Sequence, residues 1–152
     1  MTAHFTTAVH ALCMLELARR ARSGPVTSAE VAWSVSSHAV VTRRVLARLR
    51  RAGLIACKRG ANGGYTVRDA DVTLREVYDA VVDHEANALG WYPEGAPNRR
   101  CRVAPHISAR LAEVGESANA ALQDALAKRT IAELAAEVSE KLAGGRRTRR
   151  DE

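Results

Sequence analysis

The stretch from Thr27 to Tyr65 constrains the fold more than any other part of this 152-residue chain. It opens on Thr27-Ser28-Ala29-Glu30, where a hydroxyl precedes a carboxylate by three residues. That is capping-box spacing and predicts a short helix from there to about Ser34. Ser36-Ser37-His38 is a polar break. A third helix, about 39–52, puts Thr42, Val45, Leu46 and Leu49 on one face and spreads Arg43, Arg44, Ala47, Arg50 and Arg51 over the rest, with Gly53 as its C-terminal cap. Two runs of strand character, 54–58 and 65–68, flank Arg59-Gly60-Ala61-Asn62-Gly63-Gly64, whose glycines and asparagine make a hairpin tip. Upstream, Phe5, Ala8, Val9, Leu12, Leu15 and Ala18 mark a first helix that Ser23-Gly24-Pro25 stops. Helix, short helix, helix and hairpin, in that order, predict a winged helix-turn-helix.

Beyond the hairpin, Asp71-Val72-Thr73 introduces a helix from Leu74 to about Asp83, with Leu74, Val77, Tyr78 and Val81 on one side. Residues 84–106 lack periodicity, and Gly90, Pro93, Gly95, Pro97 and Pro105 predict a long loop. Loops longer than about 15 residues are usually functional or mobile. Ile107, Leu111, Val114, Ala118, Ala121, Leu122 and Ala125 stripe a long helix to about Lys128, and Thr130 caps a last helix carrying Ile131, Leu134, Ala135, Val138 and Leu142. The expected organisation is mainly α with a small β wing. A winged helix-turn-helix DNA-binding domain spans 1–83, a loop and candidate sensor region 84–106, dimerisation helices 107–143, and a disordered basic tail 144–152. The long helix must cover its stripe, and a second copy is the cheapest cover, which predicts a twofold homodimer.

Charge is segregated along the chain. The overall +6 divides into +9 over residues 1–68, −5 over 69–143 and +2 over 144–152, so one half is suited to meet a polyanion. Aromatic residues are 4%, too few for a platform that stacks single-stranded bases, which favours duplex DNA. Cys13, Cys57 and Cys101 are odd in number and widely spaced, fitting neither a disulfide framework nor a C-x-x-C zinc site. No window approaches a membrane span and Met1 to Leu17 lacks the marks of a signal peptide, so a cytoplasmic protein without membrane contact is expected.

In a helix-turn-helix the second helix enters the major groove with its N-terminal residues over base edges. Arg43 has the reach for guanine O6 and N7, and His38 or Val40 for a base edge or a thymine methyl. Arg44, Arg48, Arg50 and Arg51 suit phosphates, which set affinity without reading sequence. Thr27 and Ser28 at the start of the preceding helix are further candidate DNA contacts, and Lys58, Arg59, Asn62 and Gly63 form the wing contact, with Arg59 the candidate for a narrow minor groove. The tip lacks the Gly-Lys-Ser/Thr ending of a nucleotide-binding P-loop.

Val31-Ala32, the run Arg43 to Ile55, the wing Arg59 to Tyr65, the segment Thr73 to Val81 and Thr130 to Leu134 together resemble the Rrf2 family of bacterial transcription regulators, the IscR/NsrR/CymR group. The resemblance covers about residues 3–138. It implies a homodimer on a palindromic operator, long helices crossing at the dimer interface, base reading at Arg43 and a minor-groove arginine at Arg59. Several members hold an iron–sulfur cluster through three cysteines in the loop before the long helix. Here only Cys101 lies in that region, so a cluster of that type, or any other cofactor, is not expected. Arg99, Arg100 and Arg102 flank Cys101 and favour its thiolate, so it is either an oxidant or electrophile sensor or a structural cysteine at the start of the long helix. His84, Glu85, Cys101 and His106 are conceivable metal ligands whose geometry nothing in the sequence fixes, and no metal site is assigned. The expected function is a sequence-specific regulator, a repressor answering a redox or small-molecule signal. The alternatives are a cysteine-dependent small enzyme using Cys101 with His106, which lacks a base-plus-orienter arrangement, and a non-specific nucleoid protein.

Overall fold

The computed structural model describes residues 3–82 and 103–148. Its elements run α1 (Ala3–Ala21), α2 (Ser28–Ser34), α3 (Ala39–Arg51), β1 (Ile55–Lys58), β2 (Gly64–Val67), α4 (Leu74–Val81), α5 (Ala104–Ala127) and α6 (Ile131–Thr148). α1 is the plate on which the rest is laid. Its Phe5, Ala8, Ala11, Leu12 and Leu15 are buried with Val31 of α2, Val45, Leu46 and Leu49 of α3, Ile55 and Val67 of the hairpin, and Val77, Tyr78 and Val81 of α4. The Phe5 and Tyr78 rings meet edge to face, 5.5 Å between centroids.

Helix starts follow a repeated chemical device. Thr27 accepts from the Glu30 backbone N–H while the Glu30 carboxylate accepts from the Thr27 N–H, and Thr73 and Glu76 do the same for α4. Thr130 and Glu133 repeat the exchange at α6. At the other end of α3, Gly53 takes φ +77°, and the amides of Gly53 and Leu54 donate back to the carbonyls of Arg50 and Leu49. That closure needs a residue with no side-chain penalty at positive φ. The chain then turns directly into the wing. β1 and β2 pair antiparallel with Cys57 opposite Tyr65, and Val26 joins the edge of β2 through two backbone bonds with Tyr65, 3.0 and 2.8 Å.

Two boundaries differ from the sequence reading. α5 begins at Ala104, so Pro105 opens a helix instead of breaking one, at a position where its missing N–H costs nothing. α6 runs to Thr148, so Gly144 to Thr148, expected to be disordered, are helical. Extending an existing helix adds one bond per residue fixed, and each glycine costs only about 1 kcal/mol against that. The base of α6 also belongs to the core of the N-terminal half. Ile131 and Ala135 are fully buried, and the amides of Ile131 and Ala132 donate to the carbonyls of Val72 and Ala70. Val103 just before α5, Ile107 and Val114 along it, and Val138 and Leu142 on α6 keep large apolar side chains exposed. Among the described residues no helix is long and apolar enough to cross a membrane.

Candidate nucleic-acid interface

The arginines of α3 are sorted by the helix period. With Thr42, Val45, Leu46 and Leu49 buried, the opposite crest carries Val40, Arg44, Ala47 and Arg51, all exposed. Arg43 and Arg50 share the flank beside the wing. Burial first, and then the neighbouring Cys57 thiol, push the Tyr65 phenol above its ordinary range, while Arg50 and Arg43 draw it down. α3 packs against β1, so the exposed basic faces of the helix and the wing adjoin. Lys58, Arg59 and Asn62 are exposed at the far end of that surface.

The wing tip is sterically set. A Cβ on Gly63 would lie 2.4 Å from the Lys58 carbonyl oxygen and 2.8 Å from that of Gly60, so no other residue fits without moving backbone. The Gly63 amide donates to the Gly60 carbonyl at 2.9 Å, which draws the tip into a turn and leaves Arg59 and Asn62 projecting.

Not every sequence-nominated side chain reaches this surface freely. Arg48 falls on the far flank of α3, half-buried, and its Nη1 donates to the Val81 carbonyl at the end of α4, 2.6 Å. Together with Arg51 it lines a cleft against Asp79, Ala80 and Val82. The Thr27 hydroxyl donates to Glu30 at 2.7 Å and accepts from its amide, so its proton is committed to its own helix. Ser28 is half-buried. His38 stands at the N-cap of α3, exposed, with no side-chain bond to the helix amides, next to the exposed Ala39 and Val40.

Sequence reasoning missed the Arg48 link to α4 and the Cys57–Tyr65 pair. The second was available from the equal distance of both residues from the hairpin tip. Trp33 on α2, 85% exposed, has no assigned role. Cys101, His84 and Glu85 lie outside the described residues. His106 is exposed on the first turn of α5. Cys13 is half-buried in α1, its thiol pushed up by burial and then by Glu16, and Cys57 is on the wing strand. With a single cysteine between 84 and 106, these positions do not assemble a three-thiolate loop site, and among the described residues no three His, Cys, Asp or Glu side chains group to hold a metal.

A short capped helix, a turn, an exposed basic helix and a glycine-tipped hairpin, all on one plate, define the winged helix-turn-helix class of DNA-binding proteins. Residues 1–137 match the Rrf2 family, described as iron-dependent transcriptional regulators, and the chain belongs to that family. It is 31% identical over 133 residues to the HTH-type transcriptional regulator YwnA of Bacillus subtilis, covering 86% of this chain and 93% of that one. A transcriptional regulator from Lactobacillus plantarum superposes with TM-score 0.73 at 24% identity over 100% of both chains. IscR of T. potens superposes with TM-score 0.62 at 22% identity over 93% of this chain and 89% of that one. The chain is thus a DNA-binding transcription regulator. Among the described residues no His, Cys, Asp or Glu group offers a ligand set for the family's iron.

Proposed function

We propose that the protein is a homodimeric repressor that binds a palindromic operator and lifts off in response to an oxidant or small molecule. The observation that carries this reading is the set of exposed arginines on α3 together with the exposed Lys58 and Arg59 of the wing, on a chain whose α5 and α6 leave apolar side chains uncovered. Two copies joined through those helices hold two such surfaces on one side of a duplex. Val40 and Arg43 read bases in the major groove, with His38 beside them. Arg44, Arg50, Arg51 and Lys58 neutralise phosphates, Ser28 adds a hydroxyl at the start of α2, and Arg59, with Asn62 and the Gly63 turn, enters the adjacent minor groove. Arg48 supports this surface from behind by tying α3 to α4, and Thr27 by capping α2. Cys101, between arginines, is the candidate sensor.

Selection from a random duplex pool, followed by footprinting upstream of the protein's own gene, tests the reading. An inverted repeat is the expected product. Arg43→Ala relaxes preference at one position in each half-site, costing about 1–3 kcal/mol there, whereas Arg44→Ala or Arg50→Ala weakens binding to all sequences and lowers the salt slope by about one per residue. Equal binding to every duplex would instead mark a nucleoid protein, and unchanged binding by Arg43→Ala and Arg59→Ala would overturn the site. Cys101→Ser is expected to keep operator binding and lose release by peroxide.

A further inference from the structure

Glu16 on α1 has no exposed surface, its carboxylate covered by the partly exposed Arg19 and Arg20, and no step of DNA reading uses it. Its carboxylate accepts from Arg19 at 2.7 and 2.8 Å and from Arg20 Nε at 2.7 Å. The two arginines differ in what else they do. Arg20 extends its other arm, Nη2, to the Ala132 carbonyl in the first turn of α6, 3.0 Å, across 112 residues of sequence. No bond from Arg19 to α6 accompanies its grip on Glu16 among the bonds described. α1 packs against both α3 and α6, so the bridge ties α6 to the helix on which the recognition helix rests.

We infer that Arg20, held by Glu16, is a positioning residue that fixes the angle at which α6 leaves the reading head, and with it the separation of the two recognition helices. A guanidinium suits the task because its planar fork can grip a carboxylate with Nε and reach a carbonyl with Nη2 in one fixed geometry, and an ammonium cannot. The backbone bonds of Ile131 and Ala132 to Val72 and Ala70, with the buried Ile131 and Ala135, seat the root of α6. Arg20 adds a side-chain tether from α1 to that same turn, at the Ala132 carbonyl, which those bonds do not use. Operator geometry magnifies any looseness, since one base pair of spacer moves a half-site by about 3.4 Å and turns it by about a tenth of a helical turn.

The test compares Arg19→Ala, Arg20→Ala and Arg20→Lys in the full chain by two readouts. In amide hydrogen exchange, Arg20→Ala and Arg20→Lys lower the protection of Ile131 and Ala132 about tenfold and leave Leu46 and Leu49 of α3 unchanged, while Arg19→Ala does neither; such local opening is separable from global unfolding. In DNA binding, which rests on the dimeric reading above, the wild type discriminates its operator from versions with one base pair added or removed by about fivefold or more, and the Arg20 variants do so by under about twofold at similar affinity for the best site. If Arg19→Ala and Arg20→Ala behave alike, or if protection falls uniformly, the bridge is an ordinary ion pair and the proposal is wrong. If the wild type selects no inverted repeat, the operator reading fails while the exchange experiment still decides whether Arg20 holds α6.

Discussion

On the recognition helix, Thr42 is fully buried and its hydroxyl has no hydrogen-bond partner. An unpaired buried polar group costs about 1–3 kcal/mol, and valine has the same shape without the hydroxyl. Thr42→Val is therefore expected to raise the melting temperature by about 2–4 °C and leave DNA affinity unchanged, because the side chain faces the core. A fall in stability by calorimetry would mean that the hydroxyl is satisfied in solution. Glu16 makes the opposite case. Hydrogen bonds from Arg19 and then Arg20 hold its carboxyl below the ordinary carboxylate range, against the opposing pull of burial. A depressed folded-state pKa gives stability that is fully present above the unfolded value, about 4.3, and is lost as pH falls through the folded one. Urea midpoints of wild type and Glu16→Gln should thus differ most near neutrality and converge below about pH 4. A gap that does not narrow on acidification would exclude the charge as its source. Thr42 was legible in the sequence, since helical period alone puts 42, 45, 46 and 49 on one face. The burial of Glu16 was not, because its i+3 and i+4 arginines look like a solvated triad until α6 arrives from the far end of the chain.

Among the elements, α6 is the one whose role changes most. The sequence reading assigned it to dimerisation, yet its first turn completes the core that α1 and α4 begin. Local rules could not show this: the bonds from residues 131 and 132 to residues 72 and 70 join distant backbone and leave no mark in composition. What local rules could show, they did. The Thr-x-x-Glu pairs at 27, 73 and 130 each start a helix, because the chemistry of a cap is complete within four residues. Ile131→Ala should therefore unfold the reading head as well as the body, at a cost of about 2–5 kcal/mol in a single cooperative urea transition. Leu142→Ala, at a site 57% exposed in the single chain, is expected to leave that transition nearly unmoved at concentrations where the chain is monomeric. A second, separate transition in Ile131→Ala would show that head and body fold independently.

At the scale of the whole molecule, charge and apolar exposure divide the labour. The +9 half carries the α3 and wing surface, and the −5 half carries α5, whose Ile107 and Val114 are 41% and 56% exposed. Large apolar side chains spaced seven apart on one helix, with exposed Ala118 and Ala121 following, form a seam that water alone would cover poorly. On the dimeric reading, Val114→Asp puts a charge into that seam on each copy, which association would have to strip of water. Sedimentation should then show a monomer where the wild type is a dimer, with the circular dichroism of the head retained, since Val114 touches none of the buried core. Operator affinity is expected to fall by about 100-fold or more, because the second half-site is no longer delivered by the first. Binding to a single half-site should be unchanged, as Arg43 and the wing are intact. Should Val114→Asp stay dimeric, the seam lies elsewhere. Should it become monomeric yet keep full operator affinity, each head reads its DNA alone and the apolar face of α5 serves another partner.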